Sequence, residues 1–149
     1  MGDQAQQLAE SAARAMFERD DASRALGMEL LHVGPGTARM RMTVRSDMIN
    51  GHKTAHGGFI FTLADSTFAF ACNSHDKPAV AASCLIDFLK PAWLGDVLTA
   101  SGDERALSGR NGVYDIRIEN QRGELIALFR GKSVQIKGSV TDGPGEFRN

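Results

Sequence analysis

The chain has 149 residues and a mass of 16.1 kDa, which fits one domain with a sizeable core and is too short for two ordinary domains. Its formal net charge of -1, with 23% charged residues, predicts no partnership with nucleic acid or with a membrane surface. The first residues lack the basic and apolar regions of a secretory signal, and no run reaches the ~18 apolar residues of a membrane span.

Helical spacing of apolar residues predicts an amphipathic helix over residues 4–19, and Asp20 or Asp21 begins a short helical turn that Gly27 ends. Residues 1–25 are therefore an N-terminal helical segment. Residues 28–33 and 37–44 are predicted strands around a Gly-Pro-Gly turn, and the second of them alternates between apolar and basic residues. This pair predicts a hairpin.

Residues 58–72 are apolar on nearly every side and are interrupted only by small hydroxyl residues and by Asp65. A helix of this composition is buried all round. Further strands are predicted over residues 79–89, 97–107, 112–120 and 124–137. The pattern predicts an α+β fold in which a curved antiparallel sheet wraps one long helix. We expect a single domain over residues 1–149, with residues 139–149 as a flexible tail.

Cys72 and Cys84 both lie in apolar surroundings without the spacing of a metal site or a redox motif. Reduced thiols are favoured over a disulfide by this context, which predicts a cytoplasmic protein.

Asp65 is the most informative single residue. An ionised carboxylate in a buried apolar helix is costly unless it is paired, and no lysine or arginine lies one helical turn away. Two explanations remain open. Asp65 has a structural role, as a cap or as the partner of a distant arginine such as Arg39, Arg117 or Arg130, or it is a functional acid.

Gly57 and Gly58 stand where this helix is expected to begin, and backbone N–H groups at a helix N-terminus attract an oxyanion. The alternative is close packing that needs no side chain. Together with Asp65 the glycines suggest acyl transfer, with a donor for a carbonyl oxygen and a carboxylate that attacks or activates water. Along a helix Gly57 and Asp65 are about 12 Å apart, so a two-fold dimer is expected to bring Asp65 of one subunit to Gly57 of the other.

His52 and His56 have a zinc-ligand spacing, with Asp65 or His75 as a third ligand, but the glycines at 51, 57 and 58 argue against one helix through both histidines. No metal is therefore expected. His56 is better placed to fix the helix start or the substrate carbonyl, and Asn50 to orient a water or a thioester. For both residues a local loop hydrogen bond is the alternative.

The segment N-G-H-x-x-x-H-G-G-x-x-F-x-L-A-D, followed by IDFLKPAWLGD, GVYDI and ALFRGKS, resembles the PaaI-type hotdog-fold thioesterases of phenylacetate degradation. The likeness covers residues 26–138. It implies hydrolysis of acyl-CoA thioesters without a cofactor, since coenzyme A is part of the substrate. It also implies subunit pairs that share a continuous sheet, usually further paired as homotetramers.

The resemblance assigns roles at matching positions. Asp65 would be the nucleophile or general base, the Gly57 amide would polarise the thioester carbonyl from the partner subunit, and Asn50 and His56 would support them. Contacts to the substrate and its coenzyme A are expected from loop and strand-end positions, where a solvated rim is the alternative: Gly58, Ser83, Lys90, Gly109, Arg110, Asn111, Lys132 and Ser133.

Phenylacetyl-CoA or a ring-hydroxylated relative is the preferred substrate, with a short or medium fatty acyl-CoA as the alternative. Two other functions stay open. One is a non-catalytic acyl-CoA sensor that uses the same cleft, and the other is a hydratase or dehydratase acting on an acyl thioester.

Overall fold

The computed structural model describes residues 2–145. Its helices and strands follow the predicted order closely. They are α1 (Gly2–Arg19), α2 (Asp21–Ala25), β1 (Glu29–Gly34), β2 (Thr37–Thr43), α3 (Gly57–Cys72), β3 (Ala79–Phe88), β4 (Val97–Ser108), β5 (Asn111–Glu119) and β6 (Leu125–Gln135), with single 3-10 turns at Ser46–Met48 and Val140–Asp142.

The six strands form one sheet in the order β1-β2-β4-β5-β6-β3, and every neighbouring pair is antiparallel. Register shifts in four of the five pairs add local bends, which lets the sheet curve. Helix α3 contacts all six strands. The expected architecture, an antiparallel sheet around one long helix, is confirmed, and the sheet is open, with β1 and β3 at its edges.

The core lies between α3 and the concave face of the sheet. Three large apolar side chains of α3, Leu63, Phe68 and Phe70, are at most 1% exposed. Phe68 packs against two aromatic rings of the sheet, Tyr114 and Phe129, with ring centroids 5.7 Å away in both cases. This packing explains why nearly every position of α3 is apolar.

The N-terminal helices cover part of the face of α3 that the sheet leaves open. Asp20 caps α2, because its side chain accepts a hydrogen bond of 2.9 Å from the backbone N–H of Ser23. Phe17 of α1 lies against Phe70 of α3, with ring centroids 6.1 Å apart. The predicted amphipathic helix therefore serves as a lid over the core.

The C-terminal segment differs from the expectation of a flexible tail over residues 139–149. Val140 is 2% exposed, and its carbonyl oxygen accepts a hydrogen bond from Arg19 of α1. Asp76 accepts hydrogen bonds from the Ser139 hydroxyl and the Thr141 N–H. Residues 139–145 are therefore attached to the domain, and residues 146–149 lie outside the described part.

A polar cluster closes the end of α3 that lies away from its glycines. The carboxylate of Glu104 on β4 accepts a hydrogen bond of 2.9 Å from Tyr114 and lies 2.8 Å from the His75 ring. Tyr114 is 1% exposed, and its burial together with the Glu104 bond raises the pKa of its hydroxyl. Glu104 thus has two partners in a single corner of the fold.

Within residues 2–145 no helix has the length and apolar character needed to cross a membrane.

Candidate active site

Helix α3 begins at Gly57 with an open N-terminus. His56 occupies the capping position, but its side chain makes no capping hydrogen bond, and no acidic residue lies in the first turn. Within residues 2–145 the N–H groups of Gly57 and Gly58 have no hydrogen-bond acceptor. The positive end of the helix dipole and two free donors therefore point out of the helix at this place.

A cleft of about 380 Å³ adjoins this helix start. It is lined by Thr54, Ala55, Gly57, Ile60 and the segment 88–92 that follows β3. A methyl group on Gly57 would lie 2.9 Å from the Phe88 ring, whereas one on Gly58 would meet nothing within 4 Å. Gly57 thus lets an exposed aromatic ring cover the helix end beside the cleft.

Asn50 holds the loop that leads into α3. Its side-chain oxygen accepts hydrogen bonds from His52 N–H at 2.9 Å and from the Thr54 hydroxyl at 3.0 Å. The alternative of a local loop hydrogen bond therefore applies to the side-chain oxygen of Asn50, which is not free to orient a water. The amide NH2 group of Asn50 makes no hydrogen bond within residues 2–145, and it can still donate to a substrate.

His56 does not fix the helix start through its side chain, which is exposed and does not cap α3. Its backbone N–H donates to the Met48 carbonyl at 2.9 Å, and this contact anchors the loop. The segment between His52 and His56 is a turn, so the two rings are not on one helix face. Among residues 2–145 no group of three histidines, cysteines or acids is close enough to hold a metal ion.

Asp65 is half-buried in the middle of α3 and forms no hydrogen bond or ion pair with any of residues 2–145. Two of the arginines considered as partners pair elsewhere, because Arg117 bonds to Glu119 and Arg130 to Asp115. Burial, and secondly the negative charge of Asp20, raise the pKa of Asp65. A half-buried carboxylate without a partner is the kind of group that serves as a base or a nucleophile.

One stripe of α3 is left partly open by the sheet and by the N-terminal helices. Its members recur at helical spacing and are Gly58, Thr62, Asp65 and Ala69. The residues on either side of the stripe, such as Leu63, Ala64 and Phe68, are buried. Asp65 therefore faces outward from its own chain while it sits among apolar neighbours.

Edge strand β3 runs antiparallel to α3 along this open stripe. Phe88 at its end touches Gly57, and Ala79 at its start bonds to Asn73 just after α3. Cys84, near its middle, is close enough to Asp65 for the carboxylate charge to contribute, after burial, to the raised pKa of the thiol. The free sheet edge and the open helix stripe thus form one continuous surface.

The predicted coenzyme A contacts occupy different places. Lys90 lines the cleft beside Gly57 and bonds to Glu124 at 3.1 Å. Gly109, Arg110 and Asn111 form the exposed tip of the β4–β5 hairpin, where Gly109 has φ +60°. Lys90 and the residues of the hairpin tip accordingly lie in two separate regions of the chain.

Ser83 and Lys132 are exposed neighbours on β3 and β6. Ser133, the next residue, is 2% exposed and faces the core beside Gly112. Successive residues of a strand point to opposite faces, so the two residues of the Lys132–Ser133 pair cannot both reach a ligand on one face. The Ser133 side chain is therefore not accessible at the surface of this chain, and a contact between Ser133 and coenzyme A stays a prediction.

Two residues of the site escaped the sequence analysis. Thr54 lines the cleft, and Asp20 acts on Asp65 across 45 residues of chain. No local pattern in the sequence links Asp20 to Asp65.

With this fold and an unpaired acid on its central helix, the chain belongs to a known family. Residues 52–127 match the Thioesterase superfamily, and the chain is a thioester hydrolase of that superfamily with a hotdog fold. It is 49% identical over 129 residues to the acyl-coenzyme A thioesterase PaaI of Escherichia coli (strain K12), covering 87% of this chain and 92% of that protein.

Solved structures agree with this assignment. The structure of the E. coli PaaI protein from the phenylacetic acid degradation operon matches with a TM-score of 0.89 and 47% identity, over 90% of this chain and 97% of that one. A hypothetical thioesterase from Streptococcus pneumoniae TIGR4, solved with coenzyme A, matches with a TM-score of 0.70 and 27% identity, over 72% of this chain and 87% of that one.

Proposed function

We propose that this protein hydrolyses acyl-CoA thioesters, with arylacetyl-CoA esters such as phenylacetyl-CoA or hydroxyphenylacetyl-CoA as its substrates in phenylacetate degradation. The observation that carries the proposal is Asp65, a half-buried carboxylate on the open stripe of α3 that has no partner among residues 2–145. The name and operon of the E. coli relative support the choice of acyl group. A short or medium fatty acyl-CoA is the alternative substrate.

The reaction needs a donor and a base. The free N–H of Gly57 polarises the thioester carbonyl, and Asp65 removes a proton from water as its oxygen attacks the carbonyl carbon. The C–S bond then breaks, and the proton taken up by Asp65 passes to the departing sulfur, so that coenzyme A leaves as a thiol. In the other route Asp65 attacks the carbon itself and water hydrolyses the resulting anhydride. Hydrolysis in heavy-oxygen water over a single turnover places label in Asp65 only by the second route.

Two subunits supply one site in this proposal. Gly57 and Asp65 are eight residues apart on α3, about 12 Å along the axis, whereas both must lie near one carbonyl group. A two-fold axis that crosses the open stripe near Thr62 brings Gly57 of the partner subunit to Asp65. The free edge of β3 beside the stripe supports a sheet that continues into the partner, since unpaired edges favour strand addition. We propose a homodimer that pairs further into a homotetramer.

Complementation tests the shared site. Asp65→Asn and Gly57→Val chains are each inactive alone, and mixing them after reversible dissociation creates heterodimers with one intact site. Random pairing of equal amounts recovers about a quarter of wild-type turnover, because half of the dimers carry one working site of two. A chain with both substitutions, mixed with wild type in the same way, is the control: about a quarter of the turnover remains if sites are shared, because only wild-type homodimers have intact sites, and about half remains if each site lies within one chain. No recovery in the first mixture means that each site lies within one chain.

Coenzyme A is expected to lie along the rim of this site. Lys90 beside the cleft, Arg110 at the hairpin tip and Lys132 supply positive charge for its phosphates. Ser83, Gly58, Gly109 and Asn111 remain candidate polar contacts. The reaction as written uses only the side chains of this protein and water, so we propose that it needs no cofactor. The unpaired thiols of Cys72 and Cys84 favour a cytoplasmic location.

The function is tested by thiol release. Purified protein is mixed with phenylacetyl-CoA and a thiol reagent, alongside hydroxyphenylacetyl-CoA and a series of fatty acyl-CoA esters. We expect the highest kcat/KM with the arylacetyl esters. Highest activity with a fatty acyl ester assigns the alternative substrate. Binding of every ester without release of thiol identifies a sensor, and water addition to an enoyl-CoA without thiol identifies a hydratase.

A further inference from the structure

A chain of hydrogen bonds links the N-terminal segment to the middle of α3. The Asp20 carboxylate accepts from the Ser23 N–H at 2.9 Å and from the Ser23 hydroxyl at 2.7 Å. The Ser23 hydroxyl oxygen lies 2.8 Å from the Ser66 hydroxyl oxygen. Ser66 directly follows Asp65 in α3. The chain therefore ends one residue from the unpaired acid of the site.

The direction of these hydrogen bonds follows from which of the atoms carry a proton to donate. A hydroxyl has one proton, and that of Ser23 is donated to Asp20, which as a carboxylate can only accept. Ser66 must then be the donor to Ser23. Both hydroxyls are buried, with Ser23 1% and Ser66 9% exposed, so breaking the chain leaves a buried polar group without its partner. The chain thus fixes the turn of α3 that carries Asp65.

The charge of Asp20 also reaches Asp65. Among residues 2–145 the titratable groups that interact electrostatically with Asp65 are Asp20 between α1 and α2, Cys84 on β3 and Cys72 on α3 itself. The cation Arg19, at the end of α1, lines the same cleft as Asp20. The negative charge of Asp20 is the second cause, after burial, of the raised pKa of Asp65. The N-terminal segment therefore contributes both geometry and charge to this position.

Asp20 lies outside residues 52–127, which are the part of the chain that matches the superfamily. It also lines a second cleft of about 430 Å³, together with Met16 of α1 and Ala69 of α3. Ala69 is one helical turn beyond Asp65 on the open stripe. Asp20 thus faces the same side of α3 as the reacting acid, from an element that the superfamily match does not include.

We propose that Asp20 is a positioning residue for thioester hydrolysis, which holds the Asp65 turn of α3 through Ser23 and Ser66 and places a second negative charge beside Asp65. This inference rests on the proposed role of Asp65 as base or nucleophile. It assigns the N-terminal segment a part in setting the working pH range of the enzyme. Because like charges disfavour each other, Asp20 keeps Asp65 protonated to a higher pH than burial alone would.

The test replaces Asp20 by asparagine, which keeps one oxygen for the cap of α2 and removes the charge, and which puts an NH2 group in place of the oxygen that accepts from the Ser23 hydroxyl. Without that charge the Asp65 carboxylate persists to lower pH, so the acid limb of kcat/KM moves down by about half a pH unit to one unit at low salt. The shift shrinks as salt is added, because ions screen the two charges. KM for the thioester stays within about two-fold, since Asp20 does not contact substrate in this proposal.

Asp21→Asn is the matched control. Asp21 adjoins Asp20, has a side chain 92% exposed and pairs with Arg24, so its replacement makes the same change in net charge. We expect no shift of the acid limb in Asp21→Asn. Ser66→Ala cuts the chain and leaves Asp20 charged, and we expect a fall in kcat of about three- to ten-fold at unchanged KM. Thermal unfolding of each variant shows that it is folded.

Equal shifts in Asp20→Asn and Asp21→Asn overturn the proposal, as does an unshifted acid limb in Asp20→Asn. Both results leave the hydrolase assignment in place as long as Asp65→Asn is inactive. If Asp65→Asn turns over like wild type, the assignment of Asp65 fails first, whatever Asp20→Asn does. The two failures are therefore distinguishable in one set of pH profiles.

Discussion

Asp65 and Glu104 are two carboxylates that pack near the same helix, and their surroundings differ in one respect. Glu104 has two partners, His75 and Tyr114, within 2.9 Å. Asp65 has none among residues 2–145 and is raised in pKa by burial. A half-buried acid with partners holds the fold together, whereas one without partners is available to a substrate and destabilises the fold. Burial does not distinguish these two carboxylates, but the presence or absence of hydrogen-bond partners does.

The sharpest test of this contrast compares Asp65→Asn with Glu104→Gln in turnover. Asp65→Asn removes the proposed base or nucleophile and keeps the shape, so we expect kcat to fall by about 10³-fold or more. Glu104→Gln is expected to keep kcat within about two-fold. Affinity for coenzyme A, measured by calorimetry, should change little in either variant. Comparable losses of turnover in the two variants would remove the distinction between the acids.

The second largest effect concerns the two glycines at the start of α3. Gly57→Ala brings a methyl group to 2.9 Å from the Phe88 ring and disturbs the donor that we assign to the carbonyl oxygen. We expect kcat to fall about 10- to 100-fold. Gly58→Ala is the matched control, because its methyl group has no atom within 4 Å. Equal activities of the two variants would place the oxyanion donor elsewhere.

Thermal stability should move in opposite directions in the two acid variants. The folded-state pKa of Asp65 is raised, so the folded protein binds the proton more readily and loses stability as the pH rises through the interval between the ordinary and the raised pKa. Asp65→Asn removes that cost, and we expect a higher Tm at neutral pH. Glu104→Gln weakens two partly buried hydrogen bonds and costs about 1–2 kcal/mol. Scanning calorimetry at pH 7 measures both.

The smallest effects are expected where charge is exposed. Lys132→Ala or Arg110→Ala removes one positive charge from the proposed coenzyme A rim, and we expect KM to rise about two- to five-fold at low salt with kcat unchanged. Lys77→Ala, at an exposed position in the loop before β3, is the control. Measurement of KM at increasing salt concentration separates a residue that contacts coenzyme A through its charge from one that does not, because a charge contact weakens as ions are added. KM values that match the control exclude these residues.

The sequence predicts the parts of this site that are local. A run of apolar residues with an acid inside it, preceded by Gly57 and Gly58, predicts the helix and its open N-terminus, and the structure places α3 at Gly57–Cys72. The sequence leaves open whether Asp65 is paired, because a distant arginine can reach an acid from another strand. Strand alternation is a local signal that places Ser133 inside once Lys132 is outside, but the sequence analysis expected both residues at the ligand.

Contacts between distant segments are not predicted. Ser23 and Ser66 are 43 residues apart, and neither has a neighbour that marks it as part of a hydrogen-bonded chain. The attachment of residues 139–141 depends on Asp76, which lies in the loop after α3. The glycine and aspartate residues near this chain end give it the composition of a flexible tail. Only the folded structure shows that Asp76 binds the segment.

The absence of a side-chain cap at His56 has a consequence for how ligand binding and folding are linked. Elsewhere a serine or aspartate side chain completes a helix at its first turn, a contribution of about 1 kcal/mol. In the proposed site the carbonyl oxygen of a bound thioester takes that place, so we expect the first turn of the helix to be completed only when ligand is bound. Its melting temperature should therefore climb with ligand concentration, and most steeply for molecules that present an oxygen at Gly57.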